Sequence, residues 1–112
     1  MSSMTKALMV GVMVAGWALP AAAQDPKVAK GEALFTAQKC TLCHAVAGKG
    51  NKKFPLDGVG KTLTADVAKL WLKDPKAAAA KTSKTGTPAM KSYATLAAED
   101  VDALVAYMLS LK

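Results

Sequence analysis

Cys40-Thr41-Leu42-Cys43-His44 decides the reading of this chain. Two thiols three positions apart, with an imidazole next to the second, make the C-x-x-C-H pattern of c-type haem attachment. Each thiol can add to one haem vinyl group, and a single helical turn sets the sulfurs about as far apart as the vinyls. His44, just beyond, is carried under the iron as its proximal ligand.

Other chemistries for the same five residues each lack a part. A structural zinc site needs four ligands, and the chain holds 2 Cys and 1 His. A thiol-disulfide C-x-x-C sits at the head of a helix in a βαβ unit, yet no alternating or β-branched run reads as a strand. A disulfide between Cys40 and Cys43 would close a small, strained ring and leave His44 unexplained.

Upstream, Lys6 gives a positive start, Ala7 to Leu19 is an apolar run, and Pro20 breaks it before Ala21-Ala22-Ala23. That is the pattern of a secretory signal peptide, residues 1–23, cut before Gln24. The run is short of the ~20 apolar residues that span a bilayer, so no stable membrane insertion is expected after cleavage. Residues 24–112 then form one small domain, exported to the periplasm, where c-type haem is attached. A domain this size has a modest core, and a covalent haem would be the apolar plate around which short helices pack.

All 15 basic residues are Lys. Without Lys6, 14 Lys face 8 acidic residues, a net charge of +6 before any haem propionates. A basic face of this kind speeds encounter with acidic proteins. Nucleic acid is disfavoured, because an exported chain without Arg and with few aromatics lacks bidentate and stacking groups.

Asp25-Pro26 reads as a helix start, cap followed by proline. Val28, Gly31 and Phe35 then share one face, with Leu34 beside it, and the helix is expected to end near Gln38 and deliver Cys40. Gly31 inside a helix costs about 1 kcal/mol relative to Ala, so close approach of another backbone is expected there. Gly48, Gly50, Asn51 and Asp57-Gly58-Val59-Gly60 mark a looped segment, in which a carbonyl should fix the His44 ring. Thr64 caps a second helix carrying Val67, Leu70 and Trp71, which Asp74-Pro75 ends. Lys76 to Lys84 is helix-permissive but weakly patterned: a short helix, or a loop that wraps the cofactor. Thr85-Gly86-Thr87-Pro88 is a break. The final helix spans about Ala98 to Leu111, with Glu99 and Asp100 at its positive end and Val101, Leu104, Val105, Met108 and Leu111 as the buried stripe.

One axial position of the iron remains to be assigned, and it separates electron transfer from ligand binding. Four of the 6 Met lie in the signal peptide, leaving Met90 and Met108. Met108 falls on an apolar stripe, where Met is ordinarily packing. Met90 follows Pro88 in a loop and belongs to no stripe, so it is the candidate sixth ligand, with Lys or an open position as alternatives.

Taken together, Cys40-Thr41-Leu42-Cys43-His44, Pro55, Met90 and the helix Glu99-Asp100-Val101-Asp102-Ala103-Leu104-Val105-Ala106-Tyr107 resemble the class I c-type cytochromes, the small monohaem kind. The resemblance implies an all-α fold of three to five helices around one covalent haem, with the first and last helices crossing so that Gly31 and Phe35 meet Leu104 and Tyr107. It also implies that the Pro55 carbonyl accepts from His44 and that Trp71 lies near the propionates.

The function expected is that of a monomeric periplasmic one-electron carrier rather than an enzyme. Its haem c iron would be held by His44 and Met90, and the porphyrin by Cys40 and Cys43. Its partners would be redox proteins with acidic docking surfaces: an oxidase, a reductase or a membrane electron-transfer complex. Lys39, Lys53, Lys84 and Lys91 are the candidate docking cations. A haem sensor or gas-binding module with a displaceable sixth ligand is the alternative.

Overall fold

The computed structural model describes Gly11 and residues 25–112. The expected signal peptide lies outside the described residues apart from Gly11. Four α-helices carry the domain: α1 (Pro26–Ala37), α2 (Ala65–Lys73), α3 (Pro75–Thr82) and α4 (Ala98–Ser110).

Local chemistry starts each of the first three. Asp25 accepts from the Lys27 amide at 2.8 Å ahead of Pro26, Thr64 from Val67 at 3.3 Å, and Asp74 from Ala77 at 3.1 Å ahead of Pro75. Each cap satisfies one of the four amides a helix start leaves unpaired. Asp74 therefore both closes α2 and opens α3, and the weakly patterned segment after it is a helix. α4 has no side-chain cap; its start is held by Glu99 and Asp100 in the first turn and by Lys30 of α1, 3.2 Å from Asp100.

The first and last helices cross at Gly31. A Cβ built there would lie 2.0 Å from the Ala103 carbonyl oxygen and 2.7 Å from the Tyr107 Cβ, so only glycine permits this approach. One turn on, the Phe35 and Tyr107 rings meet edge to face, centroids 5.5 Å apart, a favoured aromatic geometry. Phe35, Ala68, Leu72, Val101, Leu104, Val105 and Tyr107 form the buried cluster.

The chain is mostly helical, as expected, and carries in addition a small sheet in the order β2-β1-β3. β1 (His44–Val46) pairs antiparallel with β2 (Lys49–Gly50) and parallel with β3 (Phe54–Pro55). The hairpin turns through Ala47 and Gly48, at φ 52° and 79°, the positive pair that a tight two-residue hairpin demands. Asp57 accepts from the Ala47 amide at 2.7 Å and ties this turn to the following loop. No strand exceeds three residues, too short for an alternating pattern to register in the sequence.

Among the described residues, no helix is long and apolar enough to cross a membrane.

Candidate haem site

The chain leaves α1 through Lys39, at φ 58°, and enters a single tight turn over Cys40–Leu42. That turn presents Cys40 and Cys43 to the same side and hands the chain to β1 at His44. Both thiols are half-buried and neither is in a disulfide. Burial pushes the Cys40 thiol up, outweighing the hydrogen bonds to its own backbone and to Tyr93 that act the other way. A redox-active C-x-x-C needs the opposite, a thiol pulled down toward thiolate, so the environment disfavours the thiol-disulfide reading.

His44 is oriented by main chain. Its Nδ1 lies 2.9 Å from the Phe54 carbonyl oxygen, across the parallel pair that sets His44 opposite Phe54. A carbonyl can only accept, so Nδ1 donates, and in the neutral ring Nε2 is then the nitrogen with the lone pair that can bind a metal. The family-derived expectation of the Pro55 carbonyl is corrected by one residue. Register decides it: Pro55 stands opposite Ala45, while the Ala45 carbonyl receives the Leu56 amide at 2.8 Å.

Gly50 completes this corner. At φ 102°, with a notional Cβ 2.3 Å from the His44 carbonyl oxygen, it can be no other residue without moving β2 from β1.

Met90 is carried by a loop moored to the end of α2. The Tyr93 amide donates to the Leu72 carbonyl at 2.7 Å and the Ser92 hydroxyl to the Lys73 carbonyl at 2.9 Å, two of the acceptors a helix end leaves unpaired. Met90 itself is half-buried and packs against the core cluster.

These segments surround a cavity of about 1240 Å³, larger than the usual 300–1,000 Å³ of small-molecule sites. Cys40, Cys43, His44 and Met90 all stand on its wall, with Phe35, Phe54, Leu56, Leu72 and Leu104 supplying apolar surface. Trp71 and Met108 stand there too, so Met108 serves both the α4 stripe and the cavity. α3 contributes Ala79 and Ala80, and its weak pattern reflects this position over a hollow rather than over packed side chains. The exposed Lys39, Lys53, Lys84 and Lys91 border it, joined by Lys73 and Lys76, which sequence reading did not single out.

A covalent c-type haem fits these residues. The thiols are free and adjacent, the imidazole is held in its ligating tautomer, and a thioether shares the wall. A filler would also suit the core: of the ten buried apolar residues among those described, Ala45, Ala68, Ala78 and Ala103 are alanines, a thin core around so large a hollow.

The match to protein families agrees with that chemistry. Residues 28–112 match the cytochrome c family model, all but the first three residues of the domain described. The chain belongs to the cytochrome c family, whose members are haem-based electron carriers binding haem c covalently. No curated protein and no solved structure matches it.

Proposed function

We propose that this chain is a periplasmic one-electron carrier with a single haem c, held through Cys40 and Cys43 and ligated axially by His44 and Met90. The observation that carries this reading is the shared wall: both thiols, the only histidine of the chain and a half-buried methionine face one apolar cavity.

When bound, haem c supplies a one-electron ferric/ferrous couple. The Cys40 and Cys43 thiols are the groups that would hold the haem covalently, each by addition across one vinyl group, sulfur to one carbon and hydrogen to the other. The Phe54 carbonyl holds a proton on Nδ1 and fixes the ring, so Nε2 is the nitrogen left to ligate and proximal ligation would cost little reorganisation. The Met90 thioether, a soft, neutral donor, would favour the lower charge state of the iron and raise its potential. Apolar side chains line the cavity, and Trp71, on the same wall, could offer its indole N-H to a haem propionate. The six bordering lysines give this side a positive field that orients acidic partners.

Two substitutions test the axial assignment. Met90→Ala should abolish the weak long-wavelength ferric band of methionine-bound iron and lower the potential, while the intact mass retains one haem. Met108→Leu should keep the band. The reverse pattern would move the ligand to α4, and a wild-type mass lacking haem would sink the whole reading.

A further inference from the structure

We propose that Asn51 is the positioning residue that locks the cysteine turn to the strand that orients His44. Its three hydrogen bonds join the cysteine turn to the approach to β3. The Asn51 amide donates to the Thr41 carbonyl at 2.9 Å, and its Nδ2 donates to the Leu42 carbonyl at 3.0 Å. These are the two carbonyls between the cysteines. On its other side, Oδ1 accepts from the Lys53 amide at 2.9 Å, and the very next residue, Phe54, provides the carbonyl that holds His44.

The side chain thus runs from the residue before Cys43 to the residue before Phe54. Cys43 and His44 are consecutive, so the angle between the thioether anchor and the imidazole depends on how β1 and β3 are held apart at this end. Gly50, just before Asn51, leaves no room for a side chain, since a Cβ there would meet the His44 and Thr41 carbonyls. Asn suits the task through its chemistry: one amide group both donates and accepts, whereas Asp keeps only the acceptor. Three exposed hydrogen bonds of about 1 kcal/mol each would be unremarkable for stability; their consequence lies in where they act.

The inference rests on His44 being the proximal ligand. The experiment uses the ferrous holoprotein and follows solvent exchange of the His44 Nδ1 proton by NMR, with amides of α1 and α4 as internal controls. Asn51→Ala and Asn51→Asp should both speed Nδ1-H exchange at least threefold while the amides of Phe35 and Tyr107 exchange as in the wild type. Exchange unchanged in both variants, or rising only in step with the helix amides, overturns the role, since a simply stabilising residue would move all protons together. The ligation reading is tested separately: if the His44 ring resonances of the wild type stay in their ordinary range in both oxidation states, His44 is not on the iron, whatever the variants do.

Discussion

The imidazole of His44 and the carbonyl of Phe54 meet at 2.9 Å across a parallel strand pair only two residues long. The two rings also tilt against each other, centroids 6.2 Å apart at 59°. A strand pair this short has little stability of its own. It persists because the hairpin turn is tied to Asp57, the loop is tied back through Asn51, and the Leu56 amide extends the pairing by one bond. The sheet is a bracket for one side chain.

Closing the helix crossing with a methyl group should weaken the protein without touching the cavity. In Gly31→Ala the new Cβ must displace the Ala103 carbonyl, and overpacking of this kind costs about 1–3 kcal/mol. The holoprotein should lose roughly 4–8 °C in Tm per kcal/mol, with an unchanged ferric spectrum. A variant as stable as the wild type would mean that the helices can part freely.

Removing the cofactor should remove most of the fold. The ten buried apolar residues among those described, four of them alanine, should not offset the ordering of a domain this size around an unfilled hollow. Chain produced without haem, as in Cys40→Ala/Cys43→Ala, should show largely unfolded far-ultraviolet circular dichroism. Native helicity in that material would contradict this.

Neutralising the cavity border should slow partner encounter. With Lys39, Lys53, Lys84 and Lys91 changed together to Gln, the electron-transfer rate with an acidic redox protein should fall roughly tenfold at low ionic strength. At high salt the variant and wild-type rates should converge. Rates that ignore both salt and substitution would place docking elsewhere. Leu42, exposed at 68% between the two cysteines, offers an apolar contact beside these cations.

Alkaline stability should depend on Tyr107. Burial pushes its hydroxyl above the usual tyrosine range, and the carboxylates of Glu32 and Asp57 push the same way. The unfolded chain then loses this proton first, so the stabilisation is complete below about pH 10 and is lost as pH rises through the folded value. Tyr107→Phe should flatten the fall in urea midpoint above that pH; an equal fall in both proteins would assign the loss to other groups.

Much of this was legible because single residues announced it. Asp25 and Thr64 are caps whose partners lie two and three residues on, and Gly31 stood out as a costly residue that needed a neighbour, which Ala103 provides. The C-x-x-C-H run carried the chemistry in five letters. What escaped was set by register and distance. The carbonyl opposite His44 depended on a one-residue offset that composition cannot express. β1, β2 and β3 are held by hydrogen bonds around a loop rather than by β propensity. α3 is hard to read because it roofs a cavity, and Lys73 and Lys76 join the border only once α2 and α3 are folded against it. Asn51 read as a turn residue; its reach to Leu42 appears only in three dimensions.

The mooring of Ser92 and Tyr93 to the last carbonyls of α2 gives the distal side a hinge-free floor. If Met90 is the sixth ligand, a thioether that lets go would stay within reach, since Ser92 and Tyr93, two and three residues on, are tied to α2. Breaking and remaking such a bond would then be a matter of side-chain torsion, with the fold around it left in place.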